Sequence, residues 1–277
     1  MSKRDRKREL PPVPEALPAP AVDAHTHLDA CGAKTADEVR AVVDRAQSAG
    51  VGRVVTVADD IASAEWAVEA STWDDRVFAA VALHPTRTAD FGDADRGVLE
   101  RLVDHPRVVA VGETGLDYYW DYSPPEPQQE AFRWHIDLAK RSGKPLMIHD
   151  REAHEDILRI LDEEGAPETV VFHCFSGDGE FARRCVDAGY VLSFAGTATF
   201  RNARGVREAV ALVPVEQLLV ETDAPFLTPH PYRGQPNEPY CVNYTLRGIA
   251  ELRGMSLEEL VVATTTTAER TFGFDQA

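Results

Sequence analysis

The chain alternates eight times between a short apolar, β-branched run and a longer amphipathic stretch. The amphipathic stretches have helical spacing: Val39, Val42 and Val43, for example, recur at intervals of three and four residues. Apolar runs without alternation are typical of strands that are buried on both faces of a parallel sheet. The eight predicted strands cover residues 21–25, 53–57, 77–83, 108–113, 145–149, 169–173, 190–194 and 218–222.

This order predicts an α/β protein with a closed (β/α)₈ TIM barrel, in which helices surround a ring of parallel strands. A doubly wound open sheet is the alternative that the same alternation allows. Four glycines stand where helices should end, at Gly50, Gly143, Gly165 and Gly189. We expect a single domain over residues 21–277, closed by a terminal helix around residues 256–270.

The first twenty residues differ from the rest of the chain. A cluster of basic residues is followed by a Pro/Ala-rich stretch from Pro11 to Pro20, and no apolar segment of the secretory type is present. We therefore predict a solvated, disordered tail over residues 1–20. An arm that contacts nucleic acid is the alternative, because a run of like charge can serve as an interaction tail. The basic residues are Lys3, Arg4, Arg6, Lys7 and Arg8.

Charge and cysteine content narrow the functional classes. A net charge of −17 argues against tight, nonspecific binding of duplex DNA, although a metal site can supply the local positive charge that a nuclease needs. The apolar runs are far shorter than the ~20 residues of a membrane span, so we expect no contact with a membrane. The four cysteines are scattered without a C-x-x-C pair, which indicates reduced thiols in a cytoplasmic protein.

Six of the eight predicted strands end in His, Glu or Asp, where the active site of such a barrel lies. His25 and His27 stand two apart on the first strand, so both side chains face the same side and can bind one ion. A lone H-x-H pair is a weak signal, but single ligands on four further strands make a far stronger constellation. These further ligands are Glu113, His149, His173 and Asp223.

The residue types suit two divalent ions, Mg²⁺, Mn²⁺ or Zn²⁺. Glu113 has two carboxylate oxygens and can bridge both ions, with Asp223 completing the first site from the opposite wall. His149 and His173 would hold the second ion. Two such ions can activate water and stabilise the attacking and leaving oxygens of a hydrolytic displacement. Glu221 precedes Asp223 by two residues, and we interpret it as a residue that supports a ligand.

The motifs D-A-H-T-H-L-D, L-H-P, G-E-T-G-L-D-Y, I-H-D-R, F-H-C-F-S-G, E-T-D-A-P-F-L and R-G-Q-P-N-E-P run in this order from residue 22 to 239. Together they closely resemble the TatD-type metal-dependent deoxyribonucleases of the amidohydrolase-like barrels. The resemblance implies that one ion binds His25, His27, Glu113 and Asp223. It implies that the other ion binds Glu113, His149 and His173.

The resemblance also implies contacts with the substrate. His84 matches the phosphate-contacting histidine of the family, and Arg233, Asn237 and Glu238 match its loop after strand eight. The implied activity is hydrolysis of DNA phosphodiester bonds, often from the 3′ end. Related phosphotriesterases and dihydroorotases bridge their metals with a carboxylated lysine, whereas strand four carries Glu113 here. The N-terminal extension is the main departure from the family.

We therefore expect a two-metal 3′–5′ deoxyribonuclease that acts on single-stranded ends, without an obligate protein partner. In the hypothetical mechanism, water activated at the metals attacks phosphorus, Asp223 accepts a proton and His84 holds a nonbridging oxygen. One alternative is an amidase, lactonase or esterase that acts on a small molecule, since the fold does not determine the substrate. The other alternative is a non-catalytic barrel used for binding.

Overall fold

A computed structural model describes residues 9–274 and confirms the predicted barrel. Eight parallel strands follow one another around the sheet in chain order. Most strands end within two residues of the predicted positions; β4 is longer at its carboxyl end and β3 is shorter. The strands are β1 (Ala21–Thr26), β2 (Val51–Val57), β3 (Val77–Ala80), β4 (Val108–Asp117), β5 (Leu146–Arg151), β6 (Val170–Phe172), β7 (Val191–Phe194) and β8 (Leu218–Val220).

The helices surround the strands, and two of them follow β8 where we had predicted one. The additional helix is α8, whose buried Leu246 and Ile249 have helical spacing after a Pro-rich loop. In the described part of the chain the helices are α1 (Ala36–Ser48), α2 (Ile61–Ser71), α3 (Asp93–Val103), α4 (Pro125–Ser142), α5 (His154–Glu164), α6 (Gly179–Asp187), α7 (Arg204–Leu212), α8 (Val242–Arg253) and α9 (Leu257–Phe272).

Local signals define several helix ends. Thr35 caps α1 in a reciprocal arrangement with Glu38, and Ser256 caps α9 in the same way with Glu259. At the other end of α4, Gly143 adopts a left-handed conformation with φ of 64°, which a residue with a Cβ adopts at a cost. These local contacts account for the close agreement between the predicted and observed bounds of α1, α4 and α9.

The ring closes between β8 and β1 just beyond the regular strands. The N–H of Asp223 donates to the carbonyl of His25 at 2.9 Å, and the N–H of His27 donates to the carbonyl of Ala224 at 2.8 Å. The buried carboxylate of Asp23 accepts hydrogen bonds from the backbone and hydroxyl of Thr222 at 2.8 and 2.6 Å. This closure places three predicted ligands, from opposite ends of the sequence, side by side.

Apolar side chains fill two layers. One layer lies between strands and helices and includes Phe132 and Ile148. The other layer, which we call the lumen core, fills the inside of the barrel. The lumen core is Val22, Ala24, Val55, Val57, Phe78, Ala80, Val109, Ala110, Met147, Val171, Val191 and Leu219, together with Ala268, Phe272 and Phe274 at the end of the chain.

The segment before β1 packs on the barrel, which differs from the disordered tail that we expected. Leu17 is buried and its N–H donates to the carbonyl of Ala49 at 3.1 Å. The Tyr244 hydroxyl donates to the carbonyl of Pro12 at 2.7 Å, and the Asn243 amide donates to that of Glu15 at 3.0 Å. Prolines lack an N–H group, but their carbonyls accept these side-chain donors. The basic cluster falls in residues 1–8, outside the described residues.

Across residues 9–274, none of the helices combines the length and apolar character that crossing a bilayer demands.

Candidate metal centre

The strand ends bring all six predicted metal ligands together around one cavity of about 770 Å³. Five of them line its wall directly, and His25 lies beneath it, fully buried. His84, the predicted phosphate contact, lines the same wall. The five lining ligands are His27, Glu113, His149, His173 and Asp223.

The first cluster consists of His25, His27, Glu113 and Asp223. The Nε2 atoms of the two histidines lie 3.2 Å apart. Oε1 of Glu113 lies 3.5 Å from each of these nitrogens. Oδ1 of Asp223 lies 3.9 Å from the nitrogen of His25 and 3.6 Å from that of His27. The carboxylates of Glu113 and Asp223 therefore both lie within 4 Å of the two histidine nitrogens.

The second cluster uses the other oxygen of Glu113. Its Oε2 lies 2.7 Å from Nε2 of His173 and 3.1 Å from Nδ1 of His149. His84 also joins this cluster, with its Nε2 3.3 Å from Nδ1 of His149 and 3.9 Å from Oε2 of Glu113. The two oxygens of one carboxylate thus face two different groups of nitrogens.

The remaining ring nitrogen of most of these histidines is held by a partner outside the cluster. Nδ1 of His27 lies 2.9 Å from the carbonyl of Val57, and Nδ1 of His173 lies 3.3 Å from Glu221. Nε2 of His149 lies 2.9 Å from Asp117. Each partner can accept a hydrogen bond from the outward ring nitrogen, so the inward nitrogen would be the one that binds an ion, as in known metal sites.

Burial and charge shift the pKa values in opposite directions. Burial lowers the pKa of His27, but the neighbouring carboxylates, led by Asp223, outweigh it and raise the pKa to about 10. Burial raises the pKa of Glu113, but the surrounding histidines, led by His173, outweigh it and hold this pKa well below its usual range. Burial also lowers the pKa of His84 to about 3, with a further contribution from His149. Glu113 is thus ionised and His84 neutral.

The donor set fits divalent ions. His25 and His27 present their Nε2 atoms to each other at 3.2 Å. Ligands bound at about 2.0–2.2 Å to one ion lie about this far apart. A cation would displace the ring proton that the raised pKa gives His27, and ionised Glu113 would balance part of the charge of the ion. Three groupings of such ligand atoms occur among the described residues: His25–His27–Glu113, His84–Glu113–His149 and His25–His173–Glu221.

Three predicted substrate residues lie away from this cavity. Asn237 is buried, and its amide donates to the carbonyls of Thr222 and Phe226 at 3.0 and 2.5 Å. Glu238 is buried in a two-point ion pair with Arg45 at 2.8 and 2.9 Å. Arg233 is exposed and lies 4.4 Å from the ring centre of Phe200. Asn237 and Glu238 hold the loop after β8, which the motif did not reveal.

Sequence reasoning missed two acids at the cavity. Asp117 stands inside the motif G-E-T-G-L-D-Y and was not assigned, although its spacing of four from Glu113 at a strand end was a usable signal. Asp60 caps α2, whereas its neighbour Asp59 lines the cavity and lies 3.8 Å from Nδ1 of His27.

Exposed aromatic side chains at the mouth were also missed. Trp120 and Tyr122 follow β4 and stack with ring centres 5.6 Å apart and planes 17° apart. They remain 44% and 67% exposed, and Phe226 on the β8 side is 55% exposed. All three line the cavity. Arg151 lies 4.0 Å from the ring centre of neighbouring Tyr119.

Comparison with known proteins agrees with this geometry. The model of the family described as TatD related DNase matches residues 22–273. An uncharacterized metal-dependent hydrolase TatD of Mycobacterium tuberculosis is 63% identical over 257 residues, which cover 91% of this chain and 97% of that protein. A 3′–5′ ssDNA/RNA exonuclease TatD of Erwinia tasmaniensis is 33% identical, over 83% of this chain and 92% of that protein.

The fold agrees as well. The crystal structure of the TatD homologue YjjV from Escherichia coli superposes with a TM-score of 0.86 and 31% identity, over 91% of this chain and 98% of that one. The family match covers nearly the whole barrel, including every strand end that carries a ligand. This chain therefore belongs to the TatD-related DNase family and is a metal-dependent hydrolase of that family.

Proposed function

We propose that this protein is a two-metal phosphodiesterase that removes nucleotides from the 3′ end of single-stranded DNA. The observation that carries the proposal is Glu113, whose two oxygens face two groups of histidines at 2.7–3.5 Å. The Erwinia relative, which is named as an exonuclease of single-stranded DNA and RNA, supports the substrate class.

In this proposal His25, His27, Glu113 and Asp223 hold one divalent ion. Glu113, His149 and His173 hold the other. When bound, Mg²⁺, Mn²⁺ or Zn²⁺ would supply Lewis acidity and lower the pKa of water. The protein's own contribution is to orient these ligands, and Asp117 and Glu221 do so through their contacts with His149 and His173.

His84 suits a contact with a nonbridging phosphate oxygen. The N–H of Thr86 donates to Nδ1 of His84 at 3.1 Å, so the neutral ring carries its proton on Nε2. That atom faces the second cluster, 3.3 Å from His149. The lowered pKa keeps the ring neutral, and a neutral imidazole can donate one hydrogen bond to phosphate without repelling a nearby cation.

Asp223 is our candidate for the proton acceptor. Its side chain is 13% exposed to the cavity, and its Oδ1 lies 3.6 Å from Nε2 of His27. Burial raises the pKa of Asp223, but neighbouring histidines, led by His27, outweigh it and keep the carboxylate ionised. An ionised carboxylate beside the reacting atoms can accept a proton from the attacking water.

The aromatic mouth favours a nucleic-acid end over a small ester or amide. Among the described residues, four of the seven exposed large apolar side chains lie here: Tyr119, Trp120, Tyr122 and Phe226. Unpaired bases stack on such side chains, with about 1–3 kcal/mol for each base. A paired duplex end hides the faces of its bases, so this mouth suits a single strand.

The decisive experiment uses oligonucleotides labelled at the 5′ or the 3′ end, in Mg²⁺ and in Mn²⁺. We expect mononucleotides to be released stepwise from the 3′ end and no activity in EDTA. Release from the 5′ end would contradict the polarity. Hydrolysis of a lactone or amide panel, with no cleavage of DNA or RNA, would contradict the substrate class.

Two further features belong to the proposal. The four cysteines are free thiols, which supports a cytoplasmic location. The ligands in both clusters come from one chain, so the site needs no partner subunit to be complete.

A further inference from the structure

A second cavity of about 600 Å³ lies beside the metal cavity and is rich in arginine. Arg201, Arg207 and Arg247 line it, together with His230 and a single carboxylate, Glu251. The local formal charge is therefore about +2, in a chain whose net charge is −17. This is an unusual environment for an acidic protein, because its many carboxylates were available to neutralise such a cluster.

Hydrogen bonds within the cluster go to uncharged acceptors. Arg207 donates to the carbonyl of Ala198 at 3.5 Å, and Arg247 donates to the side-chain oxygen of Asn243 at 2.8 Å. Within residues 9–274, Arg201, Arg207 and Arg247 form no ion pair, whereas nine other arginines do. Arg45, Arg76 and Arg133, for example, pair with carboxylates.

Two short segments of the chain border both cavities. Thr197 lines the metal cavity and Thr199 lines the arginine cavity, and both belong to the 3₁₀ helix Gly196–Thr199. On the loop after β8, Leu227 faces the first cavity and His230 faces the second. Three residues of chain span at most about 10 Å, so the rims of the two cavities lie close enough for one flexible polyanion to enter both.

The direction of such a strand follows from the barrel. Trp120 and Tyr122 follow β4, and the arginine cavity lies between the segments that follow β7 and β8. β4 and β8 stand opposite each other in a ring of eight strands. A strand whose terminal base stacks on the aromatics would therefore cross the metals and continue towards the arginines.

We propose that this cavity binds a backbone phosphate of the substrate strand, on the far side of the scissile bond from the terminal nucleotide. This inference rests on the proposed function and adds a second phosphate site to it. Guanidinium groups suit the role because they bind phosphate oxygens through two parallel N–H donors. The site would let the enzyme prefer strands over dinucleotides without reading their sequence.

The test compares substrates of two lengths. The variant Arg201→Gln/Arg207→Gln is assayed on a thymidine dinucleotide and on an oligothymidylate of about 12 nucleotides, within the ~4–16 nucleotide range of single-strand sites. We expect KM for the long strand to rise about tenfold, and kcat and dinucleotide hydrolysis to stay within about twofold. The slope of log KM against log salt should fall by about 0.7, since the variant loses one phosphate contact.

Two controls accompany it. Arg101→Gln removes a positive charge from the last turn of α3, away from the strand ends, and should leave KM unchanged. Arg201→Lys/Arg207→Lys keeps the charge and should retain most of the length preference. Thermal unfolding of each variant shows whether the fold is intact, and Arg201→Gln alone changes only an exposed side chain.

Several results would overturn the proposal: an equal rise of KM on both substrates, an equal effect of Arg101→Gln, or no change at all. Orthophosphate provides a further arm. The cavity binds free phosphate instead if two results are found together. Orthophosphate alters dinucleotide hydrolysis by the wild type and not by the Gln variant, and the two proteins have the same KM for the long strand. A wild-type enzyme that cleaves no oligonucleotide overturns the proposed function itself.

Discussion

The open end of the barrel and its lumen core are built from opposite kinds of residue. At the open end, buried histidines and carboxylates face one another across 2.7–3.9 Å. In the lumen core the same strands contribute apolar side chains, and Phe272 and Phe274 of the chain end complete them. Burying charged groups costs free energy unless they are paired, whereas burying apolar area stabilises the fold.

His25 and Met147 mark the boundary between the two regions. Nδ1 of His25 lies 3.2 Å from the sulfur of Met147, which belongs to the lumen core. Within a few ångströms the interior changes from ligand atoms to hydrocarbon. The comparison predicts that activity and stability depend on separate layers of one barrel, so they should respond to different substitutions.

The largest expected effect is loss of activity at the open end. Glu113→Gln removes the negative charge that faces both histidine clusters, so metal content and phosphodiesterase activity should fall together. We expect at least a thousandfold loss of kcat/KM, or about 4 kcal/mol of transition-state stabilisation. Metal analysis and the end-labelled assay measure it, with circular dichroism as the check on folding. His149→Ala should behave in the same way.

Full activity in purified Glu113→Gln protein would show that the two clusters do not act through this carboxylate. A variant that loses activity because it unfolds would instead show that Glu113 contributes to stability, so that the two layers do not have separate roles.

The second prediction concerns the lumen core. Phe272→Ala deletes a nearly buried ring that packs 5.5 Å from that of Phe274. The free energy of unfolding should fall by about 3 kcal/mol, because a cavity replaces the ring. Urea denaturation of the metal-free protein measures this change, and kcat under native conditions should stay within about twofold.

Val262→Ala is the matched control, since Val262 lies on the same helix and is 51% exposed. It should change stability by less than about 0.5 kcal/mol. A large loss of metal affinity in Phe272→Ala would show that the two layers are coupled.

A smaller effect should distinguish the mouth from the metal clusters. Trp120→Ala removes a stacking surface, so KM for single-stranded DNA should rise about tenfold while kcat changes little. Trp120→Phe should retain most of the affinity. An oligonucleotide with an abasic 3′ terminus should bind wild type and Trp120→Ala alike. If the variant lowers affinity equally for the abasic strand, Trp120 does not stack on the terminal base.

A pH-dependent effect should distinguish a buried structural histidine, His135, from the histidines of the site. Nε2 of His135 accepts the N–H of Leu83 at 3.2 Å, and Nδ1 donates to the carbonyl of Ala131 at 2.7 Å. Burial lowers the pKa of His135 to about 4, so the folded protein keeps this ring neutral. The unfolded chain binds the proton near pH 6.5.

His135 thus contributes stability that is fully present above pH 6.5 and is lost as the pH falls towards about 4. The free energy of unfolding should decrease by about 1.4 kcal/mol per pH unit in this window. Denaturation of metal-free protein at several pH values measures the slope. His135→Gln should lack this component, whereas His105→Gln, in the loop before β4, should keep it.

Much of the fold could be predicted because its signals are local. The apolar runs and the spacing of Val39, Val42 and Val43 depend only on neighbours along the chain, and so do the caps at Thr35 and Gly143. Helix α8 was missed because a Pro-rich loop separates its apolar positions from β8. Packing of residues 11–17 on the barrel depends on Tyr244 and Asn243, which lie more than 200 residues away.

The same division holds for the site. The sequence by itself determined which residue types stand at the strand ends, because in a parallel barrel every carboxyl end faces the same side. Only the tertiary structure decided that Glu113 turns its two oxygens to different clusters and that Asp117 holds His149. Only the tertiary structure buried Glu238 against Arg45 and gathered Arg207 of α7 and Arg247 of α8 around one cavity. These contacts join segments that are far apart in the chain. Closure of the ring sets the distances between them, and a pattern of neighbouring residues cannot encode such distances.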